Sequence, residues 1–198
     1  MTLRPIPHIL ILAAGASSRM APRDKLLEQI DGQPLIARSL RIALATGLPV
    51  TMALPPDRPD RWRAIEGMGG DRVTVERARD GMAESLKKGL AAIPPDAPVL
   101  LLLADLPELE TADLLAVAGA DPDFIQRGAT QSGQPGHPVL LPAWLRPELN
   151  LLTGDEGARA LFQRHKGQLR LVPLPDNRAL TDLDTPEDWA RWRALRHQ

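Results

Sequence analysis

Small polar and cationic side chains follow the first apolar run of the chain. The run is Ile9–Leu12, and the residues after it include Gly15, Ser17, Ser18, Arg19, Arg23 and Lys25. Backbone N–H groups, hydroxyls and cations gathered in one loop bind the oxygens of phosphate groups. The spacing matches neither G-x-x-x-x-G-K-S/T nor G-x-G-x-x-G, the two common phosphate-loop patterns. The loop therefore predicts an anion site of another kind, with a solvated strand-to-helix connection as the alternative.

Carboxylates stand in two later segments at places where strands would end. Asp105 follows the apolar run Val99–Leu103 after a single alanine, and Asp182 and Asp184 lie in LTDLDTPEDW. Mg²⁺ prefers one or two carboxylates, completed by water and by the phosphates of a substrate. A cationic loop combined with two separate carboxylate sites is typical of metal-assisted chemistry on a polyphosphate. The alternatives are that Asp105 caps a turn and that one carboxylate of the pair only stabilises a helix N-terminus.

These residues must be positioned by apolar segments in which strand and helix patterns alternate. Continuous apolar runs predict strands at Ile9–Leu12, PVTMAL, RVTVE and VLLLLAD. Helical spacing predicts helices in IDGQPLIARSLRIALATG, RWRAIEGMG, AESLKKGLAAI and ETADLLAVAGA, the last with Thr111 as its N-cap. The alternation predicts a three-layer α/β fold with a mainly parallel sheet and right-handed crossovers. Ligands bind such sheets beyond the carboxyl ends of the strands, where the strand order reverses, and the cationic loop and Asp105 would both lie there.

The second half of the chain is less regular. Residues 126–141, QRGATQSGQPGHPVLL, are rich in Gly and Pro, and we interpret them as a loop or hairpin laid over the sheet as a lid or pocket wall. GDEGARALFQRH predicts a helix, QLRLVPLP a strand, and TPEDWARWRALRHQ a last helix. In that helix Thr185 and Asp188 are predicted to form a capping box, and Trp189, Trp192 and Leu195 share one face. Residues 1–198 are predicted to form one domain, because the sequence contains no repeat, linker or composition boundary.

Composition narrows the class of function. The formal net charge is −1 and the arginines are dispersed, which gives no general attraction for nucleic acid or an anionic membrane. The absence of cysteine excludes disulfides, thiolate metal sites and a cysteine nucleophile. No apolar stretch of the sequence approaches the roughly 20 residues that a membrane span needs. We therefore expect a cytoplasmic protein with no nucleic-acid or membrane partner. The alternative, a secretory signal formed by Arg4 and IPHILILAAGA, would remove the first strand on cleavage.

Six segments carry a resemblance to one known family, in the order in which that family has them. They are ILAAGASSRMAPRDKLL, GMAESLKKGL, LLLADLPEL, GQPGHPVLL, GDEGARALF and LTDLDTPEDW. The chain resembles the nucleotidyltransferases with a Rossmann-like α/β fold of the nucleotide-diphospho-sugar transferase type. Within them it is most similar to the molybdenum cofactor cytidylyltransferase-like group, and the resemblance covers nearly the whole chain.

The resemblance implies roles for particular residues. Arg19, Lys25 and Asp105 would be catalytic, with both cations on the phosphates, and Mg²⁺ would be held by Asp105 and Asp184. The nucleotide would be bound by Leu12, Ala13, Ala14, Gly15, Ser17, Ser18, Gly81 and Ser85. A small phosphorylated acceptor similar to molybdopterin would contact His137 and Arg159. The alternatives for these last two residues are a loop-stabilising imidazole and an exposed helical arginine.

The reaction implied is transfer of a nucleotide from a nucleoside triphosphate to a phosphomonoester, with release of pyrophosphate. A molybdoenzyme or its chaperone would be a further partner. The alternatives are a GTP-using guanylyltransferase of the same cofactor pathway, a nucleotidyltransferase for a sugar phosphate or another small phosphate, and a nucleotide-sensing domain without turnover.

The identity of the base depends on Ala13 and Ala14. Guanine-using relatives have LAGG where this chain has LAAG, and each methyl group occupies space and stiffens backbone that would otherwise approach the base. This difference favours a pyrimidine, and CTP is the expected substrate. Two parts of the sequence depart from the cytidylyltransferase-like pattern. Ala21–Asp24 stand before Lys25 where the group commonly has Gly and a closer Lys, and the Asp-Lys ending is closer to the guanylyltransferases. Glu84 stands where a small hydroxyl residue is commoner.

Overall fold

The computed structural model describes residues 5–154 and 159–196, with the side chain of Arg159 outside this description. Its strands are β1 His8–Leu12, β2 Gln29–Ile30, β3 Gln33–Pro34, β4 Val50–Leu54, β5 Asp71–Thr74, β6 Val99–Leu103, β7 Ile125–Ala129, β8 Pro135–Leu141 and β9 Leu169–Pro173. Within the described residues, seven of these strands form one sheet in the order β5-β4-β1-β6-β8-β7-β9. The pair β2 and β3 forms a separate two-stranded hairpin around the turn at Asp31 and Gly32.

The sheet is parallel except at β8. β1 pairs in parallel with β4 on one side and with β6 on the other, while β8 runs antiparallel to both β6 and β7. The chain moves outward from β1 to β4 and β5 and then returns to place β6 on the opposite side of β1. The carboxyl ends of β1 and β6 therefore flank the point at which strand order reverses, as the sequence predicted.

Helices cover both faces of the sheet and complete the three-layer arrangement. Their bounds are α1 Leu35–Leu44, α2 Pro59–Ala64, α3 Met82–Ala91, α4 Thr111–Ala118, α5 Arg146–Leu149, α6 Arg159–Arg164 and α7 Pro186–Arg196. Side chains alternate along β1, so Ile9 and Ile11 pack into the core formed with α1, α4 and α7, whereas Leu10 and Leu12 pack into the core with α3. The predicted Rossmann-like α/β fold is confirmed. Among the described residues, no helix has both the length and the apolar character that crossing a membrane would require.

The interpretation of residues 126–141 as a lid over the sheet is wrong, because these residues form strands inside it. β8 lies between β6 and β7, and its residues Val139, Leu140 and Leu141 are fully buried. The register of β7 and β8 shifts between Arg127 and Ala129. Pro138 lies at this irregularity, where its lack of an N–H group removes no hydrogen bond of a regular strand pair. Gly and Pro in this stretch therefore mark a bulged internal hairpin.

Helix ends agree with the sequence at α7 and differ at α4. At α7 the Thr185 hydroxyl accepts from the Asp188 N–H, and the Asp188 carboxylate accepts from the Thr185 N–H, which is the predicted capping box. At α4 the N-cap is Glu110, because the Thr111 hydroxyl donates instead to the Ile42 carbonyl at 3.0 Å. A polar residue at a helix start cannot be assigned to capping from its type alone. Of the three residues predicted to share one face of α7, Trp189 and Trp192 are buried, whereas Leu195 is 66% exposed.

The segment before α7 is held against the β7–β8 hairpin. The His137 N–H donates to the Ala179 carbonyl at 2.9 Å. Gly136 lies so close to that carbonyl that a Cβ atom at this position would collide with it. The close approach requires glycine, and it fixes the path of the chain that leads to Asp184.

We predict that Gly136→Ala destabilises the protein by about 1–3 kcal/mol, because the added methyl group must push the Ala179 backbone away. Urea denaturation followed by circular dichroism measures the change in the free energy of unfolding. Gly167→Ala is the matched control, since a Cβ there meets no atom within 4 Å. Equal unfolding midpoints for the two variants would contradict this account of the contact.

Candidate functional site

The loop after β1 is folded back on itself by backbone and side-chain contacts. Ser17 adopts a left-handed conformation with φ of 56°, and its hydroxyl accepts from the Lys25 N–H at 2.8 Å. Met20 and Leu26 are buried, so each end of the cationic stretch is anchored in the core. An unfavourable backbone conformation such as that of Ser17 persists only where surrounding contacts hold it in place. Here the contacts that hold the loop also direct Lys25 toward the end of β6.

The Lys25 ammonium lies between two carboxylates. Its Nζ donates to Asp105 Oδ2 at 2.6 Å and to Asp184 Oδ1 at 2.5 Å. All three side chains are largely shielded, with exposed fractions of 14%, 19% and 23%. Arg19 reaches the other oxygen of Asp184 at 2.7 Å, but its side chain is 69% exposed. The two cations of the first loop therefore meet two carboxylates that are distant in sequence, at the carboxyl edge of the sheet.

Electrostatics keep Lys25 charged. Burial lowers the pKa of Lys25, but the negative charge of Asp105 and the hydrogen bonds to Asp105 and Asp184 outweigh this effect and raise the pKa above 10.5. Lys25 is therefore a cation throughout the neutral range, as contact with phosphate requires.

A cavity of about 300 Å³ opens beside this ion-pair cluster. Eight of the residues predicted from the sequence line it, namely Leu12, Ala13, Ala14, Gly15, Lys25, Gly81, Ser85 and Asp105. They come from the end of β1, the start of α3 and the end of β6. At the start of α3 the Ala83 N–H donates to the Gly154 carbonyl and the Glu84 N–H to the Gly81 carbonyl, so the charge that suits a negatively charged ligand here comes from Lys25.

The other predicted residues have different environments. Ser18 begins a short 3₁₀ turn, Ser18–Met20, in which only Met20 is buried. Ser17 supports Lys25 through the bond already described. Glu84 is paired with Lys87 at 2.6 Å. Arg159 begins α6, and its side chain lies outside the part of the chain that the structure describes.

His137 is near the site but is not a cation. Burial lowers its pKa from 6.5 to about 4; the positive charge of Arg127 adds to the decrease and the negative charge of Asp105 opposes it. Within the described residues, its Nδ1 atom is buried without a hydrogen-bond partner. A group in this environment offers a ligand a neutral hydrogen bond rather than a charge.

The two carboxylates of LTDLDTPEDW have different environments. Asp184 bonds Lys25 and Arg19, whereas Asp182 is exposed and lines a second cavity of about 600 Å³ beside Trp192. Desolvation raises the pKa of Asp182, and the negative charges of Asp184 and Asp105 add to the increase.

The carboxylates suit a hard divalent cation. Asp105 Oδ1 is buried and has no hydrogen-bond partner within the described residues, so this oxygen is available as a ligand. Across residues 5–154 and 159–196 there is no group of three or more His, Asp or Glu side chains arranged to hold a metal. Mg²⁺ or Mn²⁺ bound here would take few protein ligands and complete its shell with water and phosphate oxygens.

Sequence reasoning missed two arginines, one in α2 and one in the connection between β5 and α3. Arg79 lines the 300 Å³ cavity and pairs with Asp57 at 2.8 Å. Arg61 is fully buried and bonds both the Ala13 carbonyl and Asp24. Neither position belongs to a motif, and nothing in the local pattern around Arg61 indicates that it turns inward.

Comparison with known proteins gives the family. A family profile described as "MobA-like NTP transferase domain" matches residues 9–169. The chain belongs to this family. A relative from Synechococcus elongatus, named a probable molybdenum cofactor guanylyltransferase, is 30% identical over 189 residues, which are 91% of this chain and 94% of the relative. The profile match at residues 9–169 spans the first loop, the end of β6 and most of the segments that carried the resemblance.

Solved structures agree with the fold. The crystal structure of Rv0371c from Mycobacterium tuberculosis H37Rv has a TM-score of 0.83 and 27% identity, covering 94% of this chain and 97% of that one. A second structure of Rv0371c was determined in complex with manganese; it has a TM-score of 0.79 and 26% identity, covering 93% of this chain and 96% of that one.

We predict that the environment of His137 makes the protein less stable in mild acid. Because the folded state keeps the imidazole neutral down to a pKa of about 4, unfolding takes up a proton between pH 4 and 6.5. This contribution to stability is fully present above pH 6.5 and falls by about 2 kcal/mol by pH 5.

Urea denaturation of the wild type and of His137→Gln at pH 5 and 7.5 measures this effect. The free energy of unfolding should decrease more in the wild type, since the glutamine does not titrate. The same decrease in both proteins would show that other groups cause the acid sensitivity.

Proposed function

We propose that this protein is an Mg²⁺-dependent nucleotidyltransferase that transfers a nucleotide from CTP to a small phosphomonoester and releases pyrophosphate. The acceptor proposed is molybdopterin-like, with a molybdoenzyme or its chaperone as a later partner. The observation that supports the proposal is the placement of Lys25 between Asp105 and Asp184 at the edge of a cavity lined by the first loop and the start of α3.

The proposed metal ligands are Asp105 and Asp184. Asp105 Oδ1 has no donor among the described residues, and both carboxylates already hold one cation, the Lys25 ammonium. When bound, Mg²⁺ would neutralise the charge that develops on the transferred phosphate. The two aspartates would keep it at the carboxyl ends of the central strands, next to the phosphate loop.

Cations of the loop would bind the phosphates of the nucleotide. Lys25 carries its charge on a flexible stem, so its ammonium can turn from the carboxylates to a phosphate oxygen. Arg19 is mostly exposed and has the same freedom. An acceptor phosphate oxygen would bond to the α-phosphorus while the bond to pyrophosphate breaks, and the two cations would stabilise the leaving charge.

The acceptor site is assigned to His137 and Arg159. His137 would act through a neutral hydrogen bond, since its pKa of about 4 excludes a charged imidazole at neutral pH. His137 lies in β8, on the opposite side of β6 from β1, which supports an acceptor site separate from the nucleotide cavity beside the first loop. Arg159 would add the charge that a phosphomonoester requires.

The base assignment rests on Ala13 and Ala14. Both line the 300 Å³ cavity, and the methyl group of Ala14 occupies space at the position where the LAGG pattern of guanine-using relatives has glycine. GTP is the second candidate, because the Synechococcus elongatus relative is named a guanylyltransferase. Glu84 gives no support to either base, since its carboxylate is paired with Lys87.

Asp105→Asn is expected to reduce pyrophosphate release by roughly 10²-fold or more, because an amide keeps the shape of the side chain and removes the charge that holds Mg²⁺. Rates are measured with CTP and a panel of phosphomonoesters, over a range of Mg²⁺ concentrations. Asp96→Asn is the matched control, since Asp96 is exposed at the opposite end of β6.

Two outcomes would contradict the proposal in different ways. Near-normal turnover of Asp105→Asn at limiting Mg²⁺ would show that Asp105 only caps a turn. Tight CTP binding by the wild type without pyrophosphate release from any acceptor would favour a nucleotide-sensing domain.

We expect the wild type to bind a non-hydrolysable CTP analogue more tightly than the GTP analogue, and Ala14→Gly to shift this preference toward GTP. Removing the methyl group opens space beside the base and lets the backbone relax. Calorimetric titration in Mg²⁺ measures both affinities for both proteins. Tighter GTP binding by the wild type would overturn the pyrimidine assignment.

A further inference from the structure

Arg61 is a buried arginine whose side-chain hydrogen bonds, within the described residues, go to Ala13 and Asp24 of the phosphate loop. It lies in α2, and its side chain has 0% exposure. Its Nε and one terminal nitrogen form a two-pronged ion pair with Asp24, at 2.7 Å and 2.9 Å. The other terminal nitrogen donates to the Ala13 carbonyl at 2.6 Å. One guanidinium therefore joins the start of the loop to the residue just before Lys25.

A buried guanidinium is costly to desolvate and is retained where its geometry is useful. The planar fork of arginine matches a carboxylate in a way that lysine cannot. Here the partner carboxylate, Asp24, is only 8% exposed. Its Oδ1 atom also accepts from the Leu26 N–H at 3.1 Å and so caps the short turn Lys25–Leu27. The orientation of that turn is thus set by Arg61 through Asp24.

A second arginine of the same region ties down the middle of the loop. Arg58, which precedes α2, donates to the Ala16 carbonyl at 2.8 Å. The loop is then attached to α2 at Ala13, Ala16 and Asp24. Because Lys25 begins the capped turn, movement of this attachment would carry its ammonium away from Asp105 and Asp184.

We propose that Arg61 is a positioning residue for nucleotidyl transfer. It acts through Asp24 on Lys25, and through the Ala13 carbonyl on the backbone that lines the nucleotide cavity. This inference rests on the proposed function. A shift of about 1 Å in a catalytic group can cost roughly 10²-fold in rate, and this is the loss in kcat expected for Arg61→Met.

The kinetic test compares two backgrounds. Arg61→Met should lower kcat for pyrophosphate release by roughly 10²-fold in the wild type and by less than about 3-fold in a Lys25→Met background, because its effect passes through Lys25. Arg63→Met is the matched control: Arg63 lies on the same helix, has a 70% exposed side chain and pairs with Asp60. It should leave kcat unchanged. Equal losses from Arg61→Met in both backgrounds would mean a general effect on the fold and would overturn the proposal.

A second measurement does not depend on activity and uses milder variants. Arg61→Lys and Asp24→Asn keep most of the side-chain volume but lose the two-pronged pair, so they serve if Arg61→Met fails to fold. Hydrogen exchange of amides 14–27 should accelerate at least about 10-fold in both, while amides of β1 and β6 keep wild-type protection. Unchanged exchange in the loop would overturn the proposal. If the wild type itself releases no pyrophosphate, the proposed function fails, and the exchange data still decide whether Arg61 orders the loop.

Discussion

The ion pair of Lys25 with Asp105 and Asp184 is the interaction on which the arrangement of the site depends. It joins Lys25 to Asp105, which is 80 residues further along the chain, and to Asp184, which is 159 residues further along. Partly buried charges are favourable only when they are paired, and removing one partner leaves the others without compensation. The end of β6, the first loop and the segment before α7 must therefore arrive at one point. Each segment is held there by its own contacts.

The topology accounts for two of these segments directly. β1 and β6 are neighbours at the reversal of strand order, so the loop and Asp105 meet at their carboxyl ends. Asp184 arrives by a longer route, because the chain must pass the hairpin of β7 and β8. The close contact between Gly136 and Ala179, followed by the capping box of α7, fixes the residues on each side of Asp184. Elements far from the cavity thus determine the position of a proposed metal ligand.

Local patterns in the sequence were sufficient for the alternating strands and helices and for the reversal point, whereas most of the predicted cavity-lining residues came from the family resemblance. Apolar runs identify buried parallel strands because both of their faces are covered. Other features depend on pairings between distant residues, which periodicity does not record. The insertion of β8 into the sheet is one such feature, because the Gly and Pro residues of this stretch had indicated a loop. Arg61 is another, because a charged residue on a short helix is ordinarily expected to face solvent. The N-cap of α4 is Glu110 instead of the predicted Thr111, because the Thr111 hydroxyl donates to the Ile42 carbonyl.

Charge balance suggests how nucleotide and metal would depend on each other in the proposed reaction. In this structure Lys25 and Arg19 are already paired with Asp105 and Asp184, so the site contains equal numbers of positive and negative side chains. A polyphosphate alone would draw Lys25 away and leave two shielded carboxylates unpaired. A divalent cation alone would have to compete with the Lys25 ammonium. With both ligands bound, Asp105 and Asp184 would hold the cation, and Lys25 would be free to pair with phosphate. The ion pair that joins Lys25 to Asp105 and Asp184 would therefore make the binding of the two proposed ligands cooperative.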